Sequence, residues 1–390
     1  MSHPTSGFSA LQLLSLLAEA RADLDAFAAC LPDAAWLGPR AAIFNPPLWE
    51  YGHIIWFQER WCLRQQDDGT VSPSQVQQAD ALYDSFRVAH DTRWDLPLLD
   101  REALKTYGTE VFEKVADRLK HAAPGDPVFY FAELALYHER MHLEAWWMMA
   151  QHLGHRPPAD LALPADLPRQ SPRRAFAGGT MELGADGKSF RFDNEKGRHT
   201  VSYPAFAIDL QPVSQGAFLE FVKAGGYEKV GIWSEEGQAW LFQSGARHPA
   251  YWRKQANGWQ VRRFAKWQPL AAGEPMLHLN FYEAEAYAAW RGACLPSAQQ
   301  WQRASEEAAF VWGHGWEWCA DPFLPYPGFS PDPYREYSSP WFQSHWELRG
   351  GGPITHPLLK RSGFRNFYLP HRRDPFTGLR LAWDIGSSAR

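Results

Sequence analysis

Polar and apolar positions divide the chain into two textures. Between residues 8 and 30 an apolar run is broken by Glu19, Arg21, Asp23 and Asp25, which reads as an amphipathic helix rather than a signal peptide or a membrane span. Asn45-Pro46-Pro47 has the form of an N-cap with prolines in the first turn and opens a helix through LWEYGHIIWFQERWCLRQQ. That helix is apolar nearly all round, so it is expected to be buried. Ser74 to His90 carries a shorter helical pattern, overlapped at its end by the loop HDTRWDLPL, which has Arg93 near its centre. Arg101 to His121 is a third long amphipathic pattern, ended by Ala-Pro-Gly. From Val128 to His152 no Pro or Gly interrupts a run dominated by Ala, Leu, Glu and Met, which makes the fourth. Four long helices of this kind predict a bundle.

Past residue 155 the texture changes. HRPPADLALPADLPRQSPRR is Pro-rich and without period, a linker. Beyond it Gly, Pro and aromatic residues crowd short apolar runs such as FAGGTMELGAD, HTVSYPAFAIDL, HWELRGGGPI and GLRLAW, and helical patterns survive only at SQGAFLEFVKAGG and NFYEAEAYAAWRGACLPSAQQWQRASEEAA. The expected organisation is an α+β two-domain chain: a helical bundle over 1–155, a linker over 156–172 and a mixed domain over 173–390.

Composition narrows the functions. No Lys/Arg block is longer than a pair and the formal net charge is −5, so no nucleic-acid surface is expected. Cys30, Cys62, Cys294 and Cys319 lack CxxC spacing, which fits free thiols in a reducing, cytoplasmic setting without membrane attachment. The 20 Trp residues provide large rigid surfaces for a core or for ligand stacking.

The chemistry centres on Tyr137-His138-Glu139-Arg140-Met141-His142. Four residues are just over one helical turn, so His138 and His142 project from one face at the spacing two imidazoles need to hold one metal ion. His53, among Ile54, Ile55, Trp56 and Phe57 on the buried second helix, is the candidate third ligand; alternatively it is a core histidine bonded to a backbone carbonyl. His138-Glu139-Arg140-Met141-His142 also matches H-E-x-x-H, the zinc-metallopeptidase signature in which Glu is the general base. The metzincin extension requires Gly at 145 and His at 148, where this chain has Ala145 and Met148. Ligand type alone does not choose between zinc and ferrous iron.

These motifs together resemble the nonheme-iron sulfoxide synthases of ergothioneine biosynthesis, EgtB and its relatives, over nearly the whole chain. NPPLWEYGHIIWFQERW and YHERMHLEA look like that family's DinB-like four-helix bundle. GGTMELG, PVSQGAFLEFVKAGGY, HLNFYEAEAYAAWRGACLPSAQQWQRA, GHGWEWCADPFLPYPGF, RGGG and FRNFYLPHRRDPFTGLRLA look like its C-terminal C-type-lectin-like domain of the formylglycine-generating-enzyme type. The resemblance implies Fe(II) held by His53, His138 and His142. It also implies oxidative bonding of sulfur or selenium to the imidazole carbon of hercynine (N-α-trimethylhistidine) with O₂. Asn366 and Phe367 resemble the hercynine-contacting position, and Arg372 an arginine that grips the carboxylate of the thiol substrate, with Arg93 the weaker candidate for that work. Substrates are expected where the bundle meets the C-terminal domain.

Departures from the family pattern bear on the donor. Met141 stands where the best-known EgtB has Gln, and Phe367-Tyr368 follow Asn366 where that enzyme has Trp-Asp. A neutral phenol thus replaces a carboxylate suited to the ammonium of γ-glutamylcysteine. YDSFRVAHDTRWDLPL also looks like the selenoneine-synthase (SenA) branch, which implies a selenosugar donor; the alternative is a sulfur donor, cysteine or γ-glutamylcysteine. The family's catalytic tyrosine has no unambiguous counterpart: Tyr326, Tyr334 and Tyr337 are near in sequence, and Phe329 is a possible occupant of the slot. Formylglycine-generating activity needs a cysteine pair near the C-terminus, and Cys319 is the last cysteine. A non-enzymatic lectin-like binding module predicts no role for the three histidines.

Overall fold

The computed structural model describes residues 6–66, 68–187 and 189–385; the first five and last five residues of the chain lie outside it. It divides into a helical unit, Met1–Ala159 with Gly187–Phe190, and a second unit, Asp160–Asp186 with Arg191–Arg390.

In the helical unit, α1 (Ala10–Cys30) starts at a capping box in which Ser9 and Gln12 satisfy each other's backbone donors. Its buried residues Leu13, Leu17, Ala20, Leu24 and Phe27 recur every three or four positions, one stripe facing the core. α2 (Pro47–Glu59) continues into a π-helical turn over Arg60–Arg64. The N-cap of α2 is Pro46; the Asn45 side chain instead accepts a hydrogen bond from Arg93 and does not cap the helix. The expected helix over 74–90 is confined to α3 (Ala79–Tyr83). Ser74 Oγ and the Gln75 amide donate to Glu59, and Gln78 has φ 61°, so the preceding residues are held in turns. α4 (Arg101–His121) is capped by Asp100 and α5 (Pro127–Leu153) by Asp126, with Pro127 in its first turn and Gly154 ending it at φ 75°.

Every residue of α2 except Leu48 is buried. Its polar side chains therefore need partners inside the bundle. Gln58 accepts from Arg21, Glu59 accepts from Tyr107 and Ser74, Tyr51 donates to Asp25, and Trp49 donates to the Leu82 carbonyl. Glu50 and His53 find theirs at the site described below.

In the second unit the strands are β1 (Arg173–Phe176), β2 (Gly179–Leu183), β3 (His199–Tyr203), β4 (Phe206–Asp209), β5 (Trp252–Gln255) and β6 (Gly258–Arg263). They continue with β7 (Lys266–Pro269), β8 (Trp316–Pro322), β9 (Trp346–Arg349), β10 (Asn366–Tyr368), β11 (Thr377–Gly378) and β12 (Ala382–Asp384). They form small sheets ordered β1-β4-β12, β10-β9-β8-β11, β2-β3 and β5-β6-β7. The helices are α6 (Gln215–Lys223), α7 (Glu235–Ser244), α8 (Phe281–Trp290) and α9 (Ala298–Ala304). α7 and the β5-β6-β7 meander lie outside the helical and strand patterns read from the sequence. A core of Phe176, Phe206, Ile208, Trp301, Phe310 and Cys319 packs α9 against the first two sheets named. All four cysteines are free thiols.

Candidate metal centre

α2 supplies His53 and α5 supplies His138 and His142, and one ring nitrogen from each lies within 4.8 Å of the other two. His53 makes the backbone-carbonyl bond that one reading of the sequence expected, and its ring also joins the cluster. Its Nδ1 donates to the Tyr83 carbonyl at 2.7 Å, which fixes the tautomer and leaves Nε2 as a lone-pair donor within the cluster. The Nε2 atoms of His138 and His142 face each other 3.1 Å apart. Two lone pairs at that distance repel unless they share a proton or a cation. Ring nitrogens each about 2.0–2.1 Å from one ion span such a distance at close to a right angle. The donor set therefore fits a divalent transition metal, with coordination positions left for reactants.

The surroundings orient the three rings and disfavour charge on two of them. Burial, and then the charge of His142, hold His53 well below the ordinary histidine range; burial, then His142 and His53, do the same for His138. Trp49 stacks on His53 with planes 10° apart, and the Arg93 guanidinium covers Trp49 3.9 Å from its ring centroid. Phe57 lies face to face on His138, centroids 3.5 Å apart. Glu50 accepts from His142 Nδ1 at 2.5 Å. Trp49, Glu50, His53 and Phe57 all belong to α2, so one helix brings one histidine of the cluster and also holds the two from α5. Sequence reading missed Glu50, although a carboxylate three residues before a buried histidine on an apolar helix was a visible signal. His142 keeps 19% of its side chain exposed, so the cluster is reachable from that side.

The other residues of the H-E-x-x-H run are used elsewhere. Both carboxylate oxygens of Glu139 accept from Arg21 of α1, at 2.8 and 3.3 Å, and Arg140 pairs with Glu19 and Asp23 of the same helix. Glu139 is thus tied to α1, which is not how a peptidase holds its general base. Met141 is half-buried. Arg93 is buried, its guanidinium donating to Asn45 and to the Ser85 and Val88 carbonyls.

The remaining candidates lie in the second unit. Asn366, Phe367 and Tyr368 form β10, paired antiparallel with β9. Phe367 stacks on Phe323 at 4.2 Å, and Tyr337 and His345 approach its edge. Asp374 accepts from Arg372 through two nitrogens, at 2.6 and 2.5 Å, and the guanidinium stands 5.8 Å from the Tyr368 ring centroid. Arg365 and Arg373 are likewise paired, with buried Glu347 and Glu283. Among the tyrosines, Tyr326 accepts from Arg349 and lies under Arg365 at 3.9 Å. Tyr337 stacks on Phe192 at 4.1 Å, with Tyr334 6.2 Å away; Phe329 meets Phe342 edge-on.

The profile of the DinB superfamily matches residues 16–156, and that of the sulfatase-modifying factor enzyme 1-like domain matches residues 172–315. The hercynine oxygenase of Mycolicibacterium smegmatis is 31% identical over 402 residues, spanning 88% of this chain and 92% of its own. That of Mycobacterium tuberculosis is 33% identical over 399 residues, with the same two coverages of 88% and 92%. The solved structure of PvdO from Pseudomonas aeruginosa aligns with 58% of this chain and 99% of its own at a TM-score of 0.35 and 17% identity. The N-terminal domain is therefore DinB-like and helical, and the C-terminal domain is of the formylglycine-generating-enzyme type.

Proposed function

The chain belongs to the hercynine oxygenase family and is a nonheme-iron oxidoreductase of that type, and from that premise we propose that it joins a chalcogen to the imidazole carbon of hercynine, using Fe(II) and dioxygen. The observation that carries this reading is the convergence of His53, His138 and His142, with ring nitrogens within 4.8 Å of one another. When bound there, Fe(II) supplies the redox chemistry by which dioxygen is used. The chain's own part is to present three imidazole nitrogen donors and keep their rings fixed through Tyr83, Phe57 and Glu50. The trimethylammonium of hercynine cannot donate hydrogen bonds, and aromatic faces are the surfaces that attract it. Asn366, Phe367 and Tyr368 are the residues we assign to substrate contact.

For the donor, the reading is selenium carried by a neutral selenosugar. Tyr368 offers a phenol where the thiol-using relatives of the resemblance have an aspartate. Arg372 already has Asp374 on both prongs, so an incoming carboxylate would compete with Asp374 for it. A sulfur donor, cysteine or γ-glutamylcysteine, is the second reading; it is favoured by the 18% of the Arg372 side chain that stays exposed.

An aerobic competition tests both levels. Hercynine is supplied with cysteine, γ-glutamylcysteine and a seleno- or thiosugar together, and the products are identified by mass. Selective turnover of the sugar supports the selenium reading, turnover of cysteine but not the sugar refutes it, and unchanged hercynine with every donor overturns the proposed activity.

A further inference from the structure

We propose that Glu50 is a positioning residue that sets the affinity and the redox balance of the iron centre through His142. The inference rests on the reading of His53, His138 and His142 as ligands. Glu50 is 2% exposed, and its Oε1 lies 2.5 Å from His142 Nδ1. A carboxylate accepts and does not donate, so the proton of this contact sits on Nδ1, and Nε2, which faces His138, is left as the ligand atom. The three rings are held in three different ways. His53 leans on a backbone carbonyl, His138 is covered by the Phe57 ring, and His142 has a carboxylate on its distal nitrogen. A negative charge behind one neutral imidazole makes that ring a stronger donor and favours the more highly charged state of the ion it holds. His142 is also the least buried of the three, with 19% of its side chain exposed.

The position of Glu50 on α2 explains how the fold achieves this. Residues 50, 53 and 57 are separated by three and four positions, so they share one face of the helix. The same face thus delivers His53, the Phe57 ring against His138 and the carboxylate to His142. Glu59, nine residues along the same buried helix, is occupied by Ser74, the Gln75 amide and Tyr107. It is a carboxylate of similar burial whose partners Ser74, Gln75 and Tyr107 are none of the three histidines, and so serves as a control.

The test uses the full chain. Fe(II) affinity is measured anaerobically by competition with a chromogenic chelator for wild type, Glu50→Gln, Glu59→Gln and His142→Ala, and the Fe(III)/Fe(II) potential is measured for the variants that load. Glu50→Gln keeps a hydrogen-bond acceptor and removes the charge. It is expected to weaken Fe(II) binding about 10- to 100-fold and raise the potential, whereas Glu59→Gln lowers thermal stability without moving either readout. If His142→Ala loses iron while Glu50→Gln binds within twofold of wild type at an unchanged potential, the proposal is overturned and the ligand reading stands. Equal weakening by Glu59→Gln also overturns it, since a general loosening of α2 would then be the cause. If His142→Ala retains iron, the ligand reading fails and the role of Glu50 falls with it.

Discussion

Glu139 and Arg21 join α5 to α1 through a two-pronged ion pair in which the carboxylate is 2% and the guanidinium 13% exposed. Burial opposes the arginine's charge, and Glu139, with smaller help from Tyr51 and Asp25, more than restores it, so Arg21 ends above its ordinary range. Removing one partner leaves the other charge buried and uncompensated, which costs about 3–5 kcal/mol. Glu139→Ala and Arg21→Ala are each expected to lower the unfolding free energy by that order, and the double variant by less than the sum, as measured in urea. The folded fraction of Glu139→Ala is expected to bind Fe(II) and to leave casein uncut in the presence of zinc. Cleavage by wild type that vanishes in Glu139→Ala would restore the peptidase reading.

Replacing His53 by Ala removes the only proposed ligand on α2 and leaves the Tyr83 carbonyl without the donor it now has. A loss of about 1–3 kcal/mol of stability is expected from that orphaned acceptor, with the helical content kept. Iron per chain, measured after anaerobic loading and desalting, is expected to fall to background. Iron retained at the wild-type ratio would remove His53 from the ligand set.

Much of this arrangement was legible because helical period is a property of local sequence. The i, i+4 spacing of His138 and His142 fixes a shared face, and the apolar sides of residues 49–57 announce a buried helix that must satisfy its own polar groups. The rest depended on tertiary contacts that no periodicity encodes. Asn45 has the chemistry of an N-cap, yet Arg93 outcompetes the helix for its side chain. Ser74 and Gln75 have a helical neighbourhood, yet Glu59 takes their donors. The pairing of Glu139 with α1 rather than with a substrate is likewise decided by a residue 118 positions away. In the second unit α7 begins at a Ser234 cap before two glutamates, a readable signal masked by the surrounding aromatic residues.

His278 provides a pH-dependent term in the second unit. It is buried at φ 64°, hydrogen-bonded to the Asp374 carbonyl and packed against Tyr251 and Phe376. Burial pushes its pKa down to about 3, against about 6.5 in an unfolded chain. As pH falls below the unfolded value, the unfolded chain takes up a proton that the folded chain refuses, so stability is lost with a limiting slope of about 1.4 kcal/mol per pH unit. Asp193 and Asp209, both raised to about 6 chiefly by burial, act in the opposite sense over the lower part of that range. A difference measurement separates the histidine from them. His278→Asn tolerates the left-handed backbone and does not titrate. Between pH 7.5 and 4.5, wild type is expected to lose about 2–3 kcal/mol more than the variant in urea unfolding. A difference independent of pH would show that His278 is protonated equally in both states.

Gly52 yields a prediction that runs against helix propensity. Glycine inside a helix is ordinarily about 1 kcal/mol worse than alanine, so Gly52→Ala in α2 would normally stabilise. A Cβ at this position, however, would stand 2.3 Å from Cε1 of the Tyr83 ring. That ring has no room to retreat: Tyr83 is fully buried, and its hydroxyl accepts from the Leu99 amide at 3.0 Å. Its backbone carbonyl is the acceptor that fixes the tautomer of His53, the next residue after Gly52. The glycine is therefore the clearance that lets α3 bring its carbonyl onto His53. Gly52→Ala is expected to cost about 1–3 kcal/mol through overpacking and to weaken Fe(II) binding as Tyr83 is pushed off His53. Chemical denaturation and chelator competition on the same preparation check the two effects together. A variant that is more stable than wild type and binds iron equally would show that Tyr83 yields without disturbing His53, and would detach α3 from the centre.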